Sequence, residues 1–207
     1  MSELAKSQFR AQTVGVLALQ GDFEEHCAML TSLGVEAREI RKPGQLAGLD
    51  ALIVPGGEST TIARLILSNN FQEPLRSFGR SGRPLWGTCA GAILLAKSVD
   101  NLDRQGIELM DITIQRNAFG RQVDSFEASL DINGVPGPPF NAVFIRAPII
   151  EEVHGSAKVI CRLDDGRIVA ARQGALLATS FHPELTGDAR IHELFLAIGT
   201  TPPGPPK

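Results

Sequence analysis

Cys89 stands among small residues in Gly87-Thr88-Cys89-Ala90-Gly91, with an apolar run, Pro84-Leu85-Trp86, before it and Ala92-Ile93-Leu94-Leu95-Ala96 after it. A strand, then small-x-nucleophile-x-small, then a helix is the pattern of a nucleophile elbow. The turn is sharp and its backbone strained, so the residues two places either side must be glycine or similarly small. The helix that follows points its N-terminal amides and positive dipole end at the sulfur, which favours thiolate over thiol. A free thiol with a pKa of about 8.5 is only a few per cent ionised at neutral pH, so this help matters. Cys27 and Cys161 fall at helix and strand core positions and read as buried small residues.

The second group able to do chemistry is His182-Pro183-Glu184, directly after the apolar segment that ends at Phe181. Proline disfavours helical geometry in the residue before it, so His182 is predicted to be extended. Residues i and i+2 of an extended segment project to one side, which lets the Glu184 carboxylate reach one imidazole nitrogen and leaves the other for a thiol. Cys89, His182 and Glu184 then fill the roles of nucleophile, base and orienter. His26, His154 and His192 have no comparable setting and are read as structural or exposed. No two histidines, and no cysteine with a histidine, fall at metal-ligand spacing, so no metal site is expected.

A third feature is Pro55-Gly56-Gly57-Glu58-Ser59-Thr60-Thr61. Adjacent glycines let the backbone bend so that amides face a ligand, which is how an oxyanion hole is built beside a nucleophile. Gly56, Gly57 and Ala90 are the candidates for that hole. The same segment also reads as a glycine turn followed by a Ser/Thr helix cap, and both readings can hold. It is not a phosphate loop, since Gly-x-x-x-x-Gly-Lys is absent.

The elements that must position these groups follow from hydrophobic patterning. Thr13 to Leu19 is β-branched and apolar on both parities, as in a strand covered on both faces. Phe23, Cys27 and Leu30 recur at helical spacing, Gly34 closes that helix, and a strand follows near Val35 to Ile40. Ala51 to Val54 runs into the glycine turn and a helix carrying Ile62, Leu65 and Ile66. The Cys89 unit is the third of this kind. Repeated strand-to-helix units predict an α/β fold of three layers, a mostly parallel central sheet with helices on both faces, whose ligands sit at the carboxyl ends of the strands. From about Ile107 to Phe181 short strands succeed one another, at 112–114, 125–130, 142–145, 159–161, 168–170 and 176–179, some of them antiparallel additions to the same sheet. A helix near Ala189 to Ile198 closes the domain.

The 207 residues, 43% of them hydrophobic, suit one core without a membrane-spanning surplus. The expected organisation is a loose leader over 1–12, one domain over 13–199, and a disordered tail over 200–207, where prolines oppose helix and sheet. A formal net charge of −3, from 20 basic and 23 acidic residues spread along the chain, excludes the basic stripe that nucleic acids attract. No apolar run approaches the roughly 18 residues of a spanning helix. Three cysteines, odd in number and far apart, predict a reduced, cytoplasmic compartment.

Taken together, Gly87-Thr88-Cys89-Ala90-Gly91 and His182-Pro183-Glu184 resemble the class I, or triad, glutamine amidotransferases. Ala18-Leu19-Gln20-Gly21-Asp22, Pro55 to Thr61, Gln115 to Gln122, Phe144-Ile145-Arg146-Ala147-Pro148 and Phe181 to Thr186 narrow the resemblance to the glutaminase subunits of pyridoxal 5'-phosphate synthases. It spans about Thr13 to Gly199. The resemblance implies hydrolysis of L-glutamine to glutamate and ammonia. The ammonia would pass to a separate synthase subunit, which combines it with ribose 5-phosphate and glyceraldehyde 3-phosphate. Pyridoxal phosphate is then a product, and no cofactor is expected. By motif, Gly57, Glu58, Ser59, Arg116, Ile145 and Arg146 would hold the glutamine, an arginine pairing with its carboxylate and backbone groups reading its amino group. Two alternatives stay open: a glutaminase serving a different synthase, and a binding module that kept the fold and lost the chemistry.

Overall fold

The computed structural model describes residues 12–100, 106–116 and 125–200. Its first half repeats a strand-to-helix unit: β1 (Thr13–Leu17), α1 (Phe23–Ser32), β2 (Glu36–Ile40), β3 (Ala51–Val54), α2 (Ser59–Ser68), α3 (Gln72–Arg80), β4 (Leu85–Thr88) and α4 (Ala90–Leu95). Strands then dominate: β5 (Ala96–Val99), β6 (Met110–Gln115), β7 (Ser125–Leu130), β8 (Phe140–Ile145), β9 (Ile149–Val153), β10 (Lys158–Arg162), β11 (Ile168–Gln173) and β12 (Leu176–Thr179). Helix α5 (Arg190–Thr200) follows.

Nine strands lie side by side in the order β2-β1-β3-β4-β12-β11-β9-β6-β5, with β10 added on β11, while β7 and β8 form a separate antiparallel pair. The run from β2 to β12 is parallel throughout. Beyond it β11, β9 and β6 alternate in direction, and the edge pair β5 and β6 is parallel again.

Strand periodicity sends alternate side chains to opposite faces. Leu52 and Val54 of β3 enter one core with Ile62 and Ile66 of α2, Phe78 of α3 and Leu94 of α4. Ala51 and Ile53 enter the other with Leu30 of α1, Phe195 of α5 and Phe140 and Phe144 of β8. The sheet is therefore covered on both faces, as the apolar runs of both parities predict.

Several local expectations change. Ala96 begins β5 rather than ending the preceding helix, because its backbone is already extended there (φ −66°, ψ 141°). Helix α3 and strand β9 were not predicted. Helix α3 buries only Leu75 and Phe78, too narrow a stripe to stand out in sequence, and the two glutamates in Ile149-Ile150-Glu151-Glu152-Val153 mask β9. The leader and the tail lie outside the described residues, save for Gln12 and for Thr200, which closes α5, and so do residues 117–122 of the Gln115 to Gln122 motif. Among the described residues no helix is long and apolar enough to cross a membrane.

Candidate active site

Strands β4 and β12 are parallel neighbours in register, Thr88 opposite Thr179. The chain leaves β4 through Cys89 and leaves β12 through Ser180, Phe181 and His182, so both groups emerge at the carboxyl ends of adjacent strands. Cys89 has φ +46° and ψ −103°, a strained conformation for a residue with a side chain. Its N–H donates to Thr179 O at 2.8 Å and its carbonyl accepts from Ile93 N–H, which holds the turn between sheet and helix. Helix α4 starts at the next residue, as an elbow requires.

The flanking glycines are explained by close approach. A Cβ on Gly91 would lie 1.9 Å from Val54 O, and one on Gly87 would lie 2.4 Å from the Gly91 carbonyl carbon. Strand β3 cannot retreat, because it is paired with β1 on one side and β4 on the other. Gly91→Ala is expected to cost at least about 3 kcal/mol, the upper end of overpacking penalties. Urea unfolding of the purified variant checks this, and a midpoint within error of the parent would contradict it.

His182 Nδ1 donates to Glu184 Oε1 at 2.7 Å, and both side chains are buried. The route differs from the one expected. His182 stops short of the extended region (φ −106°, ψ 83°), and Pro183–Leu185 forms a 3-10 turn with proline at its first position. Proline's fixed φ is preorganised for that turn, which brings Glu184 back under the ring. A second carboxylate, Asp22 Oδ2, lies 3.3 Å from the same Nδ1. Asp22 sits just before α1, and its N–H donates to Gly56 O. Burial alone would pull the His182 pKa down, but contacts with Asp22, Cys89 and Glu184 outweigh it and hold the imidazole in its protonated form. The same contact lowers the Asp22 pKa, whereas burial raises that of Glu184. Asp22, His182 and Glu184 are also the one group among the described residues with ligand atoms spaced for a metal ion, and in this structure His182 Nδ1 pairs with the Glu184 carboxylate.

These groups border a cavity of about 430 Å³ lined by Asp22, Gly57, Glu58, Ser59, Cys89, Ala90, Ile93, Arg116, Ile145, Arg146, His182 and Leu185. That volume suits a small-molecule ligand. All six residues expected to hold glutamine are in this lining. Cys89 Sγ faces Ile145 O at 3.8 Å, Arg116 Nη2 donates to Thr60 Oγ1 at 3.3 Å, and Arg146 is held at φ +44°. Of the three oxyanion-hole candidates, Gly57 and Ala90 line the cavity. Gly56 lies behind it, where a Cβ would come within 2.4 Å of His182 Cε1, so this glycine serves close packing against the imidazole. Glu184 lies behind His182 in the same way. The residue that caps α2 is Glu58, not a serine or threonine. Its carboxylate accepts from Thr60 N–H, Thr61 N–H and the Thr61 hydroxyl, and the Thr61 hydroxyl contributes most to holding its pKa at about 2.

The other cysteines have no such surroundings. Burial pushes both the Cys27 and the Cys161 thiols up to about 11. His154 is at the surface beside Thr113 and Glu152. His26 and His192, however, are fully buried and touch one another, Nδ1 to Nε2, at 2.9 Å. His26 Nε2 is 3.2 Å from Thr88 Oγ1 and 3.3 Å from Glu184 Oε2, so this pair backs directly onto the triad candidates. Asp22 and His26 were missed as site residues because no local spacing links them to His182. The signals were the Ala18-to-Asp22 motif, whose last residue precedes α1, and for His26 only its place in the first turn of that helix.

Burial holds the His192 pKa at about 3 and that of His26 well below 6.5. A histidine buried neutral gives stability that is complete above its unfolded pKa of about 6.5 and is lost as pH falls toward the folded value. Each such group steepens the loss by about 1.4 kcal/mol per pH unit below that point. His192→Gln keeps a donor for His26 and removes one titration, so its stability is expected to fall less steeply than the parent's between pH 6.5 and 5, by about that slope. The opposing contribution of Glu184 is common to both proteins. Urea unfolding at four or five pH values measures the difference, and parallel curves would contradict it.

The sequence model described as "SNO glutamine amidotransferase family" matches residues 16–199. The chain is 57% identical over 189 residues to the pyridoxal 5'-phosphate synthase subunit PdxT of Herpetosiphon aurantiacus, covering 90% of this chain and all of that protein. It is 51% identical over 193 residues to the protein of the same name from Rhodococcus jostii, covering 89% and 96%. A crystal structure described as a glutamine amidotransferase superposes with a TM-score of 0.85 at 48% identity, over 91% of this chain and 99% of that one. The structure of PurLQS from Thermotoga maritima, at 15% identity and a TM-score of 0.64 over 90% of this chain and 97% of that one, shares the fold. The chain belongs to the SNO glutamine amidotransferase family.

Proposed function

We propose that this chain is the glutaminase subunit of a pyridoxal 5'-phosphate synthase, hydrolysing L-glutamine to L-glutamate and ammonia and delivering the ammonia to a separate synthase subunit. The observation that carries the chemistry is the convergence of the Cys89 elbow and His182, with Glu184 behind it, on one cavity with two arginines. The family's description supports glutamine as the substrate, and the relatives' name, a subunit of pyridoxal 5'-phosphate synthase, supports the partner.

In this reading the Cys89 thiolate attacks the side-chain amide carbon, and backbone N–H groups at Gly57 and Ala90 receive the developing oxyanion. The C–N bond breaks as His182 gives its proton to the departing nitrogen, which leaves as ammonia. Water then attacks the glutamyl thioester and returns a proton to His182, releasing glutamate and the thiolate. Glu184 and Asp22 hold the imidazole on its far side. Arg116 and Arg146 pair with the substrate carboxylate, and Glu58, Ser59 and Ile145 complete the glutamine site. Gly56 acts in the oxyanion turn through its packing against His182. We assign residues 13–199 to one glutaminase domain. Three free cysteines fit a reducing, cytoplasmic location.

The test is a coupled assay with purified chain, synthase subunit, glutamine, ribose 5-phosphate and glyceraldehyde 3-phosphate. Glutamate and pyridoxal phosphate are expected together, with glutamine turnover stimulated by the synthase, because an enzyme whose oxyanion hole is completed by its partner wastes no glutamine. Equal turnover with and without the synthase removes the dependence on a partner, and no turnover in either case removes the glutaminase.

A further inference from the structure

The Glu184 carboxylate is fully buried, and its two oxygens are treated differently. Oε1 takes the His182 Nδ1 proton, while Oε2 has no hydrogen bond of ordinary geometry. A buried, half-satisfied carboxylate is costly, so the group nearest to Oε2 matters. That group is His26 Nε2, 3.3 Å away and also 3.2 Å from Thr88 Oγ1.

Which His26 nitrogen carries the proton follows from its neighbours. The ring is fully buried, with the edge of Trp86 against it and His192 beyond, and burial keeps both histidines neutral. One proton must therefore lie between His26 Nδ1 and His192 Nε2. If His26 supplied it, the His26 Nε2 lone pair would face the Glu184 oxygen, and His192 would keep a buried N–H at Nδ1, where it has no partner. If His192 supplies it, His26 carries its proton on Nε2, between Thr88 Oγ1 and Glu184 Oε2, and only a bare acceptor is left at His192 Nδ1. Orphaned buried donors are rarer than under-satisfied acceptors, and two facing lone pairs repel, so the second arrangement prevails.

We infer that His26, set as the Nε2–H tautomer by His192, is a positioning residue for the triad, its N–H dipole holding Glu184 under His182 and tying it to Thr88, the residue before the nucleophile. Helix α1 supplies His26 and α5 supplies His192, so both helices on that face of the sheet bear on the geometry of Cys89. The kinetic arm of the test rests on the glutaminase reading above; the other two arms do not.

On the unmodified protein, imidazole nitrogen NMR is expected to show His26 neutral and protonated at Nε2 from about pH 6 to 8. An Nδ1–H tautomer or an imidazolium at His26 overturns the inference. In the complex with the synthase, His26→Leu is expected to lower kcat for glutamine about 10- to 100-fold with KM little changed, a magnitude taken by analogy from loss of the hydrogen-bond partners behind metal-ligating side chains. His26→Gln, whose amide can place an N–H near Nε2, should recover most of the loss. The pH dependence of Cys89 alkylation by iodoacetamide should move upward in the leucine variant and return in the glutamine variant. Parental kcat and an unmoved alkylation profile in His26→Leu overturn the inference. Where the leucine variant fails to fold, NMR on the parent and alkylation of His26→Gln decide. A shifted alkylation profile in a chain that never hydrolyses glutamine defeats the glutaminase reading and leaves this inference standing.

Discussion

Cys89→Ala is expected to abolish glutamine-dependent synthesis of pyridoxal phosphate while leaving synthesis from ammonium salts intact. The variant lacks the sulfur proposed to form the thioester, and neither other thiol can replace it: half-buried Cys27 and buried Cys161 line no part of the cavity and are held up at about 11. Loss of a triad nucleophile leaves only the contribution of binding and the oxyanion hole, so turnover should fall by at least about 10⁴-fold. Ammonium enters after this step and bypasses it. The fold should be little affected, because alanine fills less space than cysteine, although position 89 keeps its strained φ of +46°. Glutamate release at the parental rate would show that the nucleophile lies elsewhere.

The second large effect concerns the carboxylates behind His182. Were Glu184 the sole orienter, Glu184→Gln would be expected to lose about 10⁴-fold in kcat, as removal of a triad carboxylate does when the wrong imidazole tautomer follows. Here Asp22 Oδ2 stands 3.3 Å from the same nitrogen and remains ionised. It can keep the proton on Nδ1 when Glu184 is neutralised. The single variant should therefore lose less, about 10²- to 10³-fold, Asp22→Asn only a few-fold, and the double variant the full 10⁴. Kinetics of glutamine hydrolysis in the complex, with circular dichroism as a check on folding, measure all three. A double variant no worse than Glu184→Gln would show that Asp22 is a bystander.

The parts of the site legible in the sequence were those written locally. Gly87 to Gly91 is legible because the elbow places its steric demands on residues two positions away, and His182-Pro183-Glu184 because proline restricts its own neighbours. The buried strands β3 and β12 and the half-exposed β7 match the sequence reading to the residue, since short apolar or alternating runs bounded by turn residues leave little choice. What escaped was written across the fold. Asp22 and His26 reach the same imidazole and carboxylate from 160 and 158 positions away, a proximity made by the pairing of β1, β3, β4 and β12. Helix α3 and strand β9 escaped for the opposite reason, as their burial comes from partners rather than from their own composition. The cap of α2 was misjudged because Glu58 does with a longer side chain what serine and threonine usually do.

Between Cys89 and His182 the chain travels through β5 to β11 and returns to lie beside the strand it left. The separation of thiol and imidazole is thus set by the spacing of two neighbouring parallel strands, about 4.8 Å, and not by the excursion between them. That excursion also carries Arg116, Ile145 and Arg146 to the cavity, and it touches the pair at two points: Val143 O accepts from His182 N–H, and Ile145 O lies 3.8 Å from Cys89 Sγ. The candidate glutamine-binding residues are thus carried by other parts of the chain than the two strand ends that hold the candidate reactive pair. The exposed turn between β10 and β11, outside the cavity lining, is where a protein engineer could graft a new loop.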